Sequence, residues 1–368
     1  MPARVMLVGG GTPGHITPCV AVAESLSARR PDLELLFVAA DRESDRAVLE
    51  GLCLPHSLIA AQPFPYRPSL ALIKAYLALR QARRYARGLL SDFRPDVLFS
   101  TGGYVAGPMV PEARAAGVPV VLHAADAMPG RANVALARYA DTITVAYQAS
   151  IARLRGRPAT WTGQPVRRCI LNGSRQRGRA QLGIAAEATV VLAYGGGQGA
   201  ASINDALVDA LPQLLTMRHL QVVHLTGSAH IDSIRAATAH LAPAEGAGYQ
   251  CHAFLDAPGD ALAAADLVIS RCGSSSMAEV AALGVPCIAI PYPHAGGHQK
   301  LNALPLVDAG GAVLLEDRYV SGGTLGGWVV QLLGDRERLA EMAKASKAMG
   351  KPEAADTIAD LILAGTPA

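Results

Sequence analysis

The chain has 368 residues, 51% of them apolar and 17% charged, with 37 glycines. This excludes a disordered chain and suits two α/β domains, each able to bury its own core. A net charge of +3 is too small to argue for a nucleic-acid partner, and six scattered cysteines without a C-x-x-C pair point to reduced thiols rather than disulfides or zinc.

At the N-terminus no basic leader precedes an apolar run, and no stretch reaches the roughly 18 apolar residues of a spanning helix. A cytoplasmic chain with at most peripheral membrane contact is expected. The first strand, Arg4–Val8, runs into Gly9-Gly10-Gly11-Thr12-Pro13-Gly14-His15 and then a helix over Thr17–Ala28. Glycines there let backbone N–H groups reach an anionic or hydroxylated ligand at the positive helix end. His15 stands just past the third glycine, at the mouth of the strand ends, where it can act as a general base or simply pack locally. The same G-x-G-x-x-G pattern, with Asp41 beyond a second strand at Leu33–Ala39, also fits a nicotinamide or flavin site.

Residues 67–94 carry Arg67, Lys74, Arg80, Arg83, Arg84, Arg87 and Arg94 against one acid, Asp92. Leu70, Leu72, Ile73, Tyr76, Leu77 and Leu79 are interleaved. So basic and apolar a helix predicts contact with an anionic membrane surface, with an ordinary solvated helix face as the alternative. The strand Val97–Ser100 then feeds Thr101-Gly102-Gly103-Tyr104, another glycine loop at a strand's carboxyl end. Strands at Val118–Leu122 and Thr142–Val145 follow.

The alternation breaks at Trp161–Gly173, which divides a domain over 1–162 from one over 163–344. The second half repeats the opening of the first: Val190–Tyr194 feeds Gly195-Gly196-Gly197-Gln198-Gly199-Ala200. Further strands are expected at Gln221–Leu225, Tyr249–Ala253, Leu267–Ser270, Cys287–Ile290 and Ala312–Leu315. Non-alternating strands separated by helices indicate two doubly wound parallel sheets. After Leu267–Ser270, the run Ser274–Ser276 can cap a helix and offer donors to phosphate, with Glu279 one turn on to accept from a ribose diol. A plain capping box from Ser276 to Glu279 is the alternative. Pro291–Ala303 sets His298 and Gln299 at a helix start, within reach of sugar hydroxyls, while His294 reads as loop. A last helix is expected at about 345–368.

In chain order the segments GGGTPGH, STGGYVAGP, VPVVLHAADAMPGRAN, TGQPVR, YGGGQGA, ADLVISRCGSSSMAEVAALGVPCIAIPYPHA and HQKLNALPL resemble one family over nearly the whole chain. It is the MurG family, the peptidoglycan N-acetylglucosaminyltransferases that convert lipid I to lipid II. The resemblance implies a GT-B fold, two Rossmann-like doubly wound domains facing across a cleft, with the last helix crossing back onto the first domain. It implies the lipid I acceptor on a membrane-associated first domain and UDP-GlcNAc on the second. The reaction implied is inverting transfer of GlcNAc to the 4-hydroxyl of MurNAc, at the cytoplasmic face of the cell membrane, with no metal or other cofactor.

Residue by residue, the resemblance implies Thr12, His15, Gly103, Tyr104 and Asp126 on the acceptor side, with His15 or Asp126 as the base. Around the donor it implies Thr12, Gly14, Arg167, Gly196, Gly197, Gln198, the backbone near Leu255, Ser276, Glu279, His298 and Gln299. The chain also departs from the family. His123-Ala124-Ala125-Asp126 lacks the Glu-Gln-Asn that usually follows the histidine, Gly197 replaces a serine and Gln164 an asparagine. The altered segment leaves open a glycolipid synthase acting on diacylglycerol, or a nucleotide-sugar-binding paralogue without catalysis.

Overall fold

The computed structural model describes residues 3–52, 54–62, 70–196, 199–293 and 297–366. Arg67 and His294 lie outside the described residues, as do the side chains of Leu70, Leu72 and Ile73. The chain divides into two compact units, Met1–Arg167 with Glu353–Ala368, and Arg168–Pro352.

Unit 1 is built on β1 (Arg4–Val8), β2 (Glu34–Ala40), β3 (His56–Ile59), β4 (Val97–Ser100), β5 (Val120–Ala124), β6 (Thr142–Val145) and β7 (Thr160–Trp161). They form one parallel sheet in the order β3-β2-β1-β4-β5-β6-β7. Its register sets Leu7 opposite Phe37 on one side and Phe99 on the other. A strand covered on both faces needs apolar side chains at successive positions, and β1 divides its own between two cores. Val5 and Leu7 join Ile16, Val20, Phe37, Ile358 and Ile362. Met6 and Val8 join Val38, Ala86, Met109, Val110 and Leu122. The helices Pro13–Arg29 and Ala354–Leu363 cover the first core, and Leu70–Phe93 and Gly103–Ala115 the second.

The closing helix is fastened to the opening one. Ser25 donates to Asp356 at 2.5 Å and Arg29 to Asp360 at 2.8 Å. The boundary expected after residue 162 falls at Arg167, and the helix expected over 345–368 is two. Arg336–Met349 remains in unit 2, and only Ala354–Leu363 returns to unit 1. Gly350 caps the first of these, and Pro352 cannot continue it.

Unit 2 carries β8 (Thr189–Tyr194), β9 (Leu220–Leu225), β10 (Gly248–His252), β11 (Leu267–Arg271), β12 (Cys287–Ile290) and β13 (Ala312–Leu314). Their order is β10-β9-β8-β11-β12-β13, again all parallel. Val191, Val222, Ile269 and Ile288 pack with side chains from the helices Ala201–Leu214 and Gly322–Gly334. Each sheet reverses its order beside its first strand, between β1 and β4 and between β8 and β11. Loops leaving the carboxyl ends there diverge and leave an opening. No described helix is long and apolar enough to cross a membrane.

Removing bulk where the two ends of the chain meet tests this packing. Ile358→Ala is expected to cost about 3 kcal/mol. Trp161 lies in unit 1 and Trp328 in unit 2. The urea midpoint read by Trp161 fluorescence, in a Trp328→Phe background, should fall, while that read by Trp328 in a Trp161→Phe background stays.

Candidate active site

In unit 1 the first helix begins at Pro13 rather than Thr17. Proline's fixed φ suits the first helical position, and Thr12 becomes the N-cap. Gly14 and His15 therefore occupy the first turn, not a loop before it. His15 Nδ1 lies 3.1 Å from the Thr101 carbonyl oxygen, which can only accept, so Nδ1 holds the proton and Nε2 the lone pair. The Thr101 hydroxyl donates back to the His15 carbonyl at 2.6 Å. Burial pushes the His15 pKa below its ordinary value, against the opposing pull of Asp126, the Thr101 carbonyl and Asp45. The ring is thus neutral near pH 7 and able to accept a proton.

Gly103 follows β4 with φ +74°, and a Cβ there would stand 3.1 Å from the His15 ring. Tyr104 comes next, its hydroxyl buried with no hydrogen bond among the described residues. Asp126, half-buried just beyond β5, is near enough to His15 to act on its charge. Ala124 and Ala125 before it are buried. Two of the N–H groups expected to face a ligand are already engaged. Gly9 donates to the Val38 carbonyl at 3.1 Å, and Gly11 to the Asp45 carboxylate at 2.5 Å. Asp41, the residue that favoured a nicotinamide site, is paired with Arg46.

His123 sits enclosed beneath this opening. Nε2 donates to Gln164 Oε1 at 2.9 Å and Nδ1 accepts from the Thr144 hydroxyl at 3.0 Å. Burial takes its pKa down to about 4. Gln164 thereby has a structural post. Asn133, not singled out from the sequence, ties the ends of β4 and β5 by donating to the Thr101 carbonyl at 3.4 Å and the His123 carbonyl at 3.3 Å. Arg167, half-buried, is the last residue before unit 2.

In unit 2 the loop after β8 holds Gly196 exposed, while Gly199 (φ +77°) presses on the Thr226 carbonyl, 2.1 Å from where a Cβ would be. Gly197 and Gln198 lie outside the described residues. The helix Ser274–Leu283 leaves β11 with Gly273 as its N-cap. The serines form its first turn instead of capping it, so the Ser276–Glu279 capping box does not arise. Ser276 and Glu279 are both half-buried there.

Tyr194 ends β8 opposite Ser270 and buries its hydroxyl beside Ser276 and Glu279. Burial first, then the charge of Glu279, pushes the phenol well above its ordinary range, against the opposing pull of Ser270 and Ser276. His298 opens the helix His298–Asp308 with Nδ1 also buried and unmatched among the described residues. Gln299 accepts from the Tyr292 N–H at 3.0 Å, which leaves its amide NH₂ to donate. Leu255, half-buried, follows β10. Arg271, at the end of β11 just before the serine run, is a buried rivet. It donates to Asp317 at 2.5 Å and Ser202 at 2.7 Å.

Unit 1 therefore offers a neutral base beside a carboxylate. Unit 2 offers a helix N-terminus, hydroxyls and a carboxylate beside the buried Tyr194 hydroxyl, with His298 opening a later helix. Tyr194 could be placed there only by the pairing of β8 with β11, which no local pattern records.

Residues 5–145 match the glycosyltransferase family 28 N-terminal domain, and residues 190–358 the glycosyltransferase family 28 C-terminal domain. Two relatives are called UDP-N-acetylglucosamine–N-acetylmuramyl-(pentapeptide) pyrophosphoryl-undecaprenol N-acetylglucosamine transferase. That of Paenarthrobacter aurescens is 38% identical over 98% of this chain and 96% of its own length. That of Desulforudis audaxviator is 38% identical over 98% and 97%. The crystal structure of Acinetobacter baumannii MurG superposes with a TM-score of 0.77 at 28% identity, over 99% of this chain and 100% of that one.

A second histidine matches His123 in its surroundings. His224 donates to Asn204 and accepts from the Tyr249 hydroxyl, each at 3.0 Å, and burial takes it to about 4. Both titrate near 6.5 when unfolded. As pH falls from 6.5 to 4 the unfolded chain takes up protons that the folded chain refuses, so stability present above pH 6.5 is lost across that window. The loss is on the order of 3 kcal/mol per histidine. The urea midpoint should drop between pH 6.5 and 4, and His224→Gln should flatten part of the drop.

Proposed function

The chain belongs to glycosyltransferase family 28, and on that premise we propose that it transfers GlcNAc from UDP-GlcNAc to the MurNAc 4-hydroxyl of lipid I, forming lipid II for peptidoglycan. The relatives' activity supplies the substrate pair. The observation that carries the chemistry is the tautomer of His15, with its proton on Nδ1 toward Thr101 and its lone pair on Nε2.

In this reading Nε2 takes the proton of the acceptor hydroxyl as its oxygen attacks C1 of the α-linked sugar. The bond from C1 to the UDP oxygen breaks, and the configuration inverts. Asp126 steadies the positive charge that arises on the ring. Thr12, Gly14, Gly103 and Tyr104 shape the acceptor side. Negative charge grows on the departing UDP. It is met by Arg167, by N–H groups of the Gly195–Gly199 loop, and by the first turn of Ser274–Leu283, whose dipole presents positive potential. Ser276 reaches phosphate, Glu279 the ribose diol, the backbone near Leu255 the uracil, and His298 and Gln299 the GlcNAc hydroxyls. The buried Tyr194 hydroxyl is a further donor in that pocket.

The helix Leu70–Phe93 is assigned to the anionic membrane surface, which would hold the protein peripherally at the cytoplasmic face. Tyr76, Leu77 and Tyr85 are exposed among exposed Lys74, Arg80, Arg84 and Arg87. Arg83 and Arg87 also pair with Glu112, at 2.5 and 3.5 Å. Each well-placed cation contributes about 1 kcal/mol against anionic lipid, and apolar groups among cations suit an interfacial helix.

With UDP-[¹⁴C]GlcNAc, label should pass to a lipid I analogue and not to diacylglycerol, and His15→Ala should lower kcat at least about 100-fold. Label on diacylglycerol, or none on either acceptor, contradicts the reading. Leu77→Asp combined with Arg80→Glu and Arg84→Glu should abolish co-sedimentation with phosphatidylglycerol vesicles. Unchanged co-sedimentation removes this helix from the membrane role.

A further inference from the structure

Asp45 is a buried carboxylate that the transfer reading leaves without a task. It is 1% exposed, in the first turn of the helix Glu43–Glu50 that follows β2. Its Oδ2 accepts from the Gly11 N–H at 2.5 Å, while the Gly11 carbonyl accepts from Arg42 Nη1 at 3.1 Å. A single loop residue is thus gripped at both polar ends by side chains three positions apart. The Arg42 guanidinium also lies over the Tyr104 ring, 5.4 Å from its centroid. Gly11 itself is so close to that ring that a Cβ would stand 2.3 Å from it. Thr12, the next residue, is the N-cap of the helix that carries His15, so the grip on Gly11 fixes the entry to that helix.

The charged and titratable groups around His15 come from several elements. Asp45 approaches from the helix Glu43–Glu50, Asp126 from beyond β5, and His123 from β5, while Arg42 and Tyr104 gather at Gly11. The two carboxylates favour a positive ring, and the buried neutral His123 adds no charge. Asp45 is thus tied by geometry to the loop that leads into the helix of the candidate base, and it acts on the charge of that base.

We propose that Asp45 is a positioning residue for His15, fixing the glycine loop that leads into its helix and stabilising, through its buried charge, the imidazolium that proton transfer creates. This rests on His15 being the base. The acceptor proton goes to Nε2, the acceptor oxygen bonds to C1, and the electron pair of the breaking C1–O bond leaves with UDP. A positive ring then stands opposite two negative side chains.

Asp45→Asn retains an oxygen for the Gly11 N–H and removes the charge. With less negative potential the His15 pKa falls, so the acid limb of the pH–rate profile moves to lower pH. A weaker base and a less stabilised imidazolium lower kcat about three- to tenfold, with KM for UDP-GlcNAc unchanged. An NMR titration of ¹³C-labelled His15 on the same protein reads the coupling without turnover. His15 titrating at the parent's pH overturns the proposal. A lowered titration with parental kcat keeps the coupling and removes His15 from the role of base. Arg42→Met, at an exposed side chain, releases the other end of Gly11 and should raise the KM for a lipid I analogue about three- to tenfold. Parental kinetics there, with an Asp45→Asn chain that does not fold, overturn the grip on the loop.

Discussion

Thr101 leaves β4 where the strand order of unit 1 reverses, and its two oxygen atoms hold the helix that carries His15. The carbonyl accepts a hydrogen bond from Nδ1, and the hydroxyl donates one to the His15 carbonyl. Asn133 donates to the same Thr101 carbonyl. A strand end has carbonyl and N–H groups that the ladder no longer satisfies, and buried ones must find partners. Here the partner is the side chain proposed to do the chemistry, so backbone satisfaction and tautomer choice are one interaction. Displacing Thr101 would free Nδ1 and leave the lone pair's position undecided.

Three histidines in this chain show how environment divides their work. His123 and His224 each donate from Nε2 to an amide oxygen and accept at Nδ1 from a hydroxyl. Both ring nitrogens are occupied and both rings are buried, so they resist charge. They stiffen the carboxyl-end regions of their sheets: His224 acts through Asn204, which also donates to the Thr226 carbonyl, against which Gly199 packs. His15 differs in having one nitrogen engaged by a carbonyl and two carboxylates acting on its charge. That ring is neutral at rest yet placed to become charged.

Much of the architecture was legible because most of the buried parallel strands are short apolar runs, and those of β1, β4, β8 and β11 lead into glycine-bearing loops. β3 and β7 escaped that pattern. The former begins at exposed His56, and the latter is two exposed residues at the sheet edge. The helix start at Pro13 was hidden because Thr-Pro-Gly reads as a turn, although Pro is at ease in a first helical turn. Candidate residues carried by local motifs, such as His15, Ser276 and Glu279, can be proposed from the sequence alone. Asp45, Asn133 and Tyr194 could not. Their partners lie across the sheet, and only the strand order brings them together. Arg271, inside the segment that leads to the serine run, holds Asp317 and Ser202 across the sheet, a role that no local pattern records.

Donor recognition is proposed at the carboxyl ends of β8 and β11, and proton removal at those of β1 and β4. Calorimetric titration with UDP-GlcNAc separates these assignments most directly, using Glu279→Ala and His15→Gln. Glu279→Ala is expected to weaken binding by about tenfold or more, ~1.4 kcal/mol, while His15→Gln binds as the parent does. Parental affinity in Glu279→Ala, with binding lost in His15→Gln, would contradict this division of roles.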